Sequence, residues 1–578
     1  MSINDRQLAF LKGQGYTGSI NDAYRAYLLA QLGVTTGAID DLLYTYLKGR
    51  WGYTGNLNDM LFAHLRYLGY TGNLSDMLRA AWGSTGIAGF SFSANLTTSV
   101  RPEYAGGSSA PTYTRATTAT ITDHEDVLRN CLSGEVRFQG ARRVRNYCTA
   151  SENLNGVGWT IQTGGTGSAP VRTSSYATAP NGTVTASRLQ LDVGAGVTGA
   201  DYCGVYFQTN QVGAETYYLK SNTGANQTIK IGALGGTRST ITVTSEWKRF
   251  YNLNNTSYIG IYKFGNDGQA QTADILVWGA QCENVTGQSI QTPGEYVSVG
   301  VLSSPFHGAM VDGVKYFATT NGNTVASNVV TEATGSPISS ATLKGYLAEG
   351  ARTNICLQSE VLGTTWALPT GMALASNNTT APDGAATADK LTDDSGTSGH
   401  YIEQTGLTFA TSTAYTCSAF VKWASGTRTV FLQFYTNLGA DQAYVILNSS
   451  GAVVTSAAGG SMTSVSASVA AYPSGWYRVT VTGTTSVAAG AGAVRIGHGS
   501  GSSAPPPLYT GNGTDAIYLW GAQLEAGAFA SSYIPTTTAS VTRNADVLTY
   551  PSAGNIGAVG TLYFEYQLNR AVNATLIW

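Results

Sequence analysis

Near the start of the chain, Leu57, Met60, Leu61, Leu65 and Leu68 recur every three or four positions, the spacing of a helix that buries one face. Ile39, Leu42, Leu43, Tyr46 and Leu47 repeat it one unit earlier. The unit is written several times: "GYTGSINDAY" from Gly15, "GVTTGAIDDLL" from Gly33, "GYTGNLNDML" from Gly52 and "GYTGNLSDML" from Gly69, with a fragment "SIND" at Ser2. Asp5, Asp22, Asp41, Asp59 and Asp76 stand three residues after Ser2, Ser19, Ala38, Asn56 and Asn73, a spacing similar to a helix-capping box. The glycine before each cap supplies the turn between units. Each unit is therefore predicted to be a turn and a helix of roughly a dozen residues, too short to persist alone in water. Its apolar stripe (Leu57 and Leu61 in one copy, Leu74 and Leu78 in the next) must pack on neighbours or on another chain. Residues 1–86 are read as a docking region.

After a Ser/Thr/Gly/Pro-rich connector at 87–112 the period changes from helical to alternating. "TYYLKS", "TIKIGAL", "STITVTS", "YIGIYKF" and "DILVWGA" are short β-branched and aromatic runs separated by turn residues. A long module is written twice. "GARRVRNYCTASE" (140–152) matches "GARTNICLQSE" (350–360), and "APNGTVTASRL" (179–189) matches "APDGAATADKL" (381–391). "SEWKRF" (245–250) matches "SGWYRV" (474–479), and "DILVWGAQCE" (274–283) matches "DAIYLWGAQLE" (515–525). Many short strands with glycine-rich turns predict β-sandwiches. The expected fold is mainly β: short N-terminal helical repeats followed by tandem jelly-roll sandwiches at 113–304 and 305–548. A further β domain is expected to start at 549–578, as the first part of a longer protein.

Duplication separates fold from specificity. The pairs Trp159/Trp366, Trp247/Trp476 and Trp278/Trp520 are expected to be packing residues, and Glu152/Glu360 and Glu283/Glu525 to hydrogen-bond backbone or arginine. Cys148 and Cys356 match each other and Cys282 matches Leu524, so the six cysteines read as small buried hydrophobes rather than as a disulfide or metal framework.

Charged residues are only 11% of the 578, with 70 glycines and 34 tyrosines, while a hydrophobic share of 43% suffices for real cores. Net charge is −2, and residues 1–82 carry seven basic and six acidic side chains, so no basic footprint for nucleic acid is present. No apolar run reaches the length of a membrane span, so no membrane insertion is expected.

"GYLAEGARTNICLQSEVLGTTW" (345–366), with "TRATTATITDHEDVL" (114–128), "GEVRFQGARRVRN" (134–146) and the closing "GAQLEAGAFASSYIPTTTASVTRNADVL" (521–548), resembles segments of fibre, spike and appendage proteins of tailed bacteriophages. The "GYTGNLND" repeats are similar to the starts of phage structural proteins. The resemblance implies jelly rolls like carbohydrate-binding modules, a homotrimer, location in the virion, and partners among phage tail or capsid/portal proteins. The first copy departs from the pattern, with "RRVRN" for "ARTN" and "SIQTPGEYV" for "SSYIPTTTA".

The chemistry expected is binding. The five histidines show no ligand spacing, and no G-x-S-x-G elbow or P-loop occurs. The adjacent acids of "TDDSG" (392–396) are expected to face solvent. No catalytic residue, metal or cofactor is expected. Alternation in "TVFLQFY" puts Phe431, Gln433 and Tyr435 on one strand face, and in "SYIGIYKF" Tyr258 and Tyr262 on one face with Ile259 and Ile261 on the other. Gln433 and Tyr435, with Trp423 nearby, and Tyr258 and Tyr262 are the candidate contacts to a host-surface polysaccharide. Two other readings stand beside this one: a spacer that binds nothing, and the anchor of a glycan depolymerase whose catalytic domain lies past residue 578.

Overall fold

The computed structural model describes residues 20–32, 35–36, 45–46 and, with short internal gaps, 92–553. Helix Ile20–Leu32 begins directly after Ser19, where the repeat places a cap, and it contains Asp22. Asp41, Asp59, Asp76, Leu57, Leu61, Leu74 and Leu78 lie outside the described residues, as does the chain beyond 553. The described residues fall into two compact units: those before Tyr113 together with those from Leu548, and Tyr113–Val547. In the first unit, Phe92–Ser93 pairs with Tyr104–Ala105, so the expected connector contains a small antiparallel ribbon. No helix among the described residues is long and apolar enough to cross a membrane.

Tyr113–Val547 contains two sandwiches built on one plan. In the first, a sheet of strand order Val325–Ala326, Val329–Val330, Lys248–Asn254, Gly213–Ser221, Thr272–Glu283, Ala186–Asp192, Val171–Ala177 faces a sheet of order Ser239–Val243, Gln227–Ile231, Tyr258–Phe264, Tyr202–Gln208, Trp159–Gly164. In the second, the order Met372–Thr379, Ala388–Asp393, Ala516–Ala526, Ala414–Ser425, Trp476–Thr484, Thr463–Tyr472 faces Tyr401–Thr408, Ala491–His498, Val430–Thr436, Asp441–Leu447, Val453–Gly459. Alternate residues point between the sheets, and apolar cores fill both: Leu189, Val205, Ile229, Ile261 and Val277 in one, Leu391, Leu432, Val445, Val494 and Leu519 in the other.

Two boundaries differ from the sequence reading. Val329–Val330 pairs with Arg249 and Phe250, and Val314–Phe317 pairs with Arg142–Arg145, so these two strands belong with the first sandwich instead of opening the second. The lead-in also serves both modules: Thr120 Oγ1 donates to the Tyr533 carbonyl at 2.6 Å, and Leu128 N to the Pro382 carbonyl at 3.1 Å. Leu128 packs with Phe420, Trp476, Trp520 and Tyr533 on the outer side of the second module's six-stranded sheet.

The duplicated sequence anchors are staples of the fold. Asn354 donates to the carbonyls of Ala522 (3.1 Å) and Ile534 (2.8 Å) and accepts from the N–H groups of Cys356 (3.1 Å) and Leu524 (3.0 Å). Asn146 repeats the arrangement with Ala280, Val297, Cys148 and Cys282. Every hydrogen-bonding position of both amides is used. The entry segment is thereby tied to the long strand and to the exit loop in both copies, despite their different spelling. Trp278 and Trp520 donate to Thr185 and Thr387, equivalent residues, while Trp247 and Trp476 donate to the equivalent carbonyls of Thr178 and Thr380. Trp476 and Trp520 are buried, whereas Trp247 is half-buried. Glu283 accepts from Gly294 N and Glu525 from Ser531 N. All six cysteines are buried and free, and burial pushes the Cys282 thiol up to about 12.

Candidate functional site

In both sandwiches the five-stranded sheet turns its second face away from the core. In the second module, strand parity sends Ile402, Leu432, Phe434, Val494 and Ile496 inward, leaving Tyr401, Glu403, Phe431, Gln433, Tyr435, Gln442 and Arg495 outward. Arg495 is the hub. Its Nε donates to Glu403 Oε1 at 2.6 Å and its Nη2 to the Tyr435 hydroxyl at 3.3 Å. Tyr435 in turn donates to Glu403 at 2.8 Å. The guanidinium carbon lies 4.4 Å from the centroid of the Tyr435 ring and 5.0 Å from that of Tyr401. Burial and the hydrogen bond to Glu403 push the Tyr435 hydroxyl up to about 12, against the opposing pull of Arg495. The cluster thus sets a phenol that is neutral at neutral pH beside the buried Glu403 side chain, the Arg495 guanidinium and the half-buried Tyr401 ring. Apolar ring faces next to paired donors and acceptors suit a polyhydroxylated ring, whose C–H face stacks while its hydroxyls bond at the edge.

Gln433 is in this face but beneath its surface. The residue is 1% exposed, and its Nε2 donates to Gln442 and, at 3.2 Å, to the Pro505 carbonyl of the loop after strand Ala491–His498. Phe431 is also buried. Trp423 is elsewhere. It stands on strand Ala414–Ser425 of the opposite sheet, packed against the inter-sheet core, with its Nε1 donating to the Arg428 carbonyl at 2.8 Å. The structure therefore joins Tyr435 to Tyr401, Glu403 and Arg495 and does not join it to Trp423. The sequence reading missed Glu403 and Arg495. Register with Gln433, had it been known, would have pointed to Arg495.

The first module's outer face carries Gln162, Tyr202, Tyr206, Tyr258, Tyr262, Phe264 and Lys230, while Ile259 and Ile261 enter the core. Tyr258 is half-buried at the surface. Tyr262, expected as a surface contact, is fully buried and lies flat: a Cβ on Gly204 would come within 2.2 Å of its ring and one on Gly260 within 2.6 Å, so only glycine leaves room for it. Its hydroxyl donates to Gln162 at 2.7 Å.

Beneath this strand lies a buried acid. Glu215 accepts hydrogen bonds from Asn252 (2.8 Å), Tyr217 (2.9 Å) and Gly260 N (3.1 Å), yet burial dominates and pushes its carboxyl up to about 7. A raised carboxyl pKa means the folded state holds a proton that the unfolded chain releases near pH 4.5. The stability contribution is therefore full below that value and is lost as pH rises through about 7. Glu215→Gln is expected to shrink the difference in unfolding free energy between pH 5 and pH 8 by up to about 3 kcal/mol. Denaturant titrations at the two pH values would measure it, and an unchanged difference would contradict the assignment.

A polar cluster closes one end of the second sandwich. Asp393 is buried instead of facing solvent, because it ends strand Ala388–Asp393 and accepts from His498, from Tyr509 at 3.1 Å and, as an ion pair, from Arg428 at 3.3 Å. Asp394 beside it is the more open acid and lies 3.2 Å from His400. Among the described residues no group of three or more His, Cys, Asp or Glu is placed to hold a metal ion.

No protein-family model and no curated protein matches the chain. Among solved structures, the N-terminal CBM22-1–CBM22-2 tandem domain from Paenibacillus barcinonensis Xyn10C is similar over 67% of this chain and 98% of that chain, at 12% identity and a TM-score of 0.21. The CBM22-2 xylan-binding domain of the same protein spans 30% of this chain and 98% of that chain, at 13% identity and a TM-score of 0.20. At these scores the likeness assigns no ligand to this chain.

Proposed function

We propose that the second sandwich is a non-catalytic polysaccharide-binding module and that its site is the outer face around Tyr435. The observation that carries this reading is the cluster of Tyr401, Tyr435, Glu403 and Arg495, with rings, acceptor and donors brought to one surface by three adjacent strands. The wider setting we infer is an appendage of a tailed-phage virion, a tail or head fibre. The tandem N-terminal repeats and the resemblance of the entry and exit segments support it, and a homotrimer with tail or capsid/portal partners belongs to the same reading.

One such site is expected to be weak, with a dissociation constant near millimolar, about 4 kcal/mol. Several copies on one particle add roughly 10²–10⁴ in avidity. Tyr435→Ala is expected to lower adsorption to host cells at least tenfold while leaving assembly and melting temperature unchanged, since the ring is half-buried at a surface. Unchanged adsorption would make this face packing surface and favour the spacer reading, to which the burial of Phe431 and Gln433 already leans. An antibody to the chain that finds nothing on particles would remove the virion setting.

A further inference from the structure

The entry and exit segments that distinguish the two modules in sequence are staples made alike by Asn146 and Asn354, so they carry no information about which module binds. The binding faces themselves do differ. In the second face Glu403 pairs with Arg495 across adjacent strands, whereas in the first Gly204 stands opposite Tyr262. Gln433 stands opposite Arg495 in the second face, and Lys230 opposite Tyr262 in the first. One face thus carries a charged hub, and the other a glycine trough filled by a flat tyrosine.

We propose that the first sandwich is a second glycan site of different class, a tyrosine platform for an uncharged saccharide chain. This inference rests on the reading of the modules as polysaccharide binders. Tyr202, Tyr206 and Tyr258 are half-buried on the platform, with Tyr206 and Tyr258 5.8 Å apart edge to face and Tyr202 and Tyr262 6.3 Å apart. The charged side chains, Lys230 and Arg238, sit at the Phe264 end, where Lys230 is paired with Asp267 at 2.9 Å. Beyond that end, the described outward residues of strands Tyr258–Phe264, Tyr202–Gln208 and Trp159–Gly164 offer ring faces and the amides of Gln162 and Gln208, and none of them is charged. Stacking on such a platform favours the C–H face of a neutral sugar ring and depends little on salt.

The test is an array of uncharged oligosaccharides and polysaccharides probed with the full chain, the Tyr435→Ala variant and the Tyr206→Ala/Tyr258→Ala double variant. The double variant alters only half-buried rings, and its melting temperature checks its folding. A subset of signals that survives Tyr435→Ala, resists added salt and falls at least tenfold in the double variant is the expected result. If Tyr435→Ala silences every glycan, or the double variant silences none, the first-module site is overturned while the second-module reading stands. An unmodified chain that binds nothing on the array overturns the first-module site, and the adsorption of Tyr435→Ala decides the second-module reading separately.

Discussion

Replacing Trp520 with alanine is expected to destabilise the second sandwich by about 3–5 kcal/mol, the range for removing a large buried aromatic side chain. Its ring is 2% exposed and lies 5.4 Å from Phe420 and 4.8 Å from Tyr533, centroid to centroid. Its Nε1 donates to Thr387 Oγ1 at 3.1 Å, a bond whose loss would leave the threonine hydroxyl without that donor. The cluster seals the outer side of the six-stranded sheet under the exit loop, so the space cannot simply be refilled by neighbours held in strands. The duplication supplies an internal control. Trp247, half-buried at the matching position of Trp476, should cost clearly less when replaced by alanine. Thermal and denaturant unfolding of the Trp520, Trp476 and Trp247 alanine variants would rank them, and an unchanged melting temperature for Trp520→Ala would mean the ring is exposed in solution.

Much of the two-sandwich plan was legible because strand periodicity and duplicated anchors are local signals. The outward parity of Phe431, Gln433 and Tyr435, and of Tyr258 and Tyr262, followed from alternation alone. What alternation does not give is which strands become neighbours. Glu403, Tyr435 and Arg495 meet only because Tyr401–Thr408, Ala491–His498 and Val430–Thr436 lie side by side in an order unlike their chain order. Trp423 and Gln433 are close in sequence but lie on different sheets. The short connection between their strands crosses from one sheet to the other, and a bulge between Trp423 and Ser425 shifts the strand's register. Gln433 was on the right face at the wrong depth: the loop that brings Pro505 over it has no periodic pattern to announce a lid. The first-module boundary slipped because Val325–Ala326 and Val329–Val330 are two-residue strands, too short to show a period.

The largest unannounced feature is the ionic hub around Asp546, and Asp546→Ala is expected to destabilise the Tyr113–Val547 unit by about 3–5 kcal/mol, the cost of removing one partner from a buried ion pair. The carboxylate is fully buried and accepts from Arg115 at 2.9 Å, from Glu349 N at 3.0 Å, and from Tyr113 and Arg137, with Arg543 3.7 Å away. Arg115 and Asp546 are 431 residues apart in sequence, so no short-range pattern could have joined them. Burial alone would raise the Asp546 pKa, but Arg137, Tyr113 and Arg115 outweigh it and hold it below the ordinary carboxylate value. That sign is opposite to Glu215: the stability contribution of Asp546 is present above the unfolded value near 3.8 and is lost as pH falls below it. Removing the carboxylate leaves Arg115, Arg137 and Arg543 facing one another with Glu349 as the remaining acid of the hub. Because the lead-in joins the exit of the second sandwich here, the loss should loosen residues 113–139 before either core melts. Amide hydrogen exchange on the variant should show early opening of that segment at neutral pH. Protection equal to the parent's would mean that the backbone pairings and the Leu128 contact hold the lead-in without the hub.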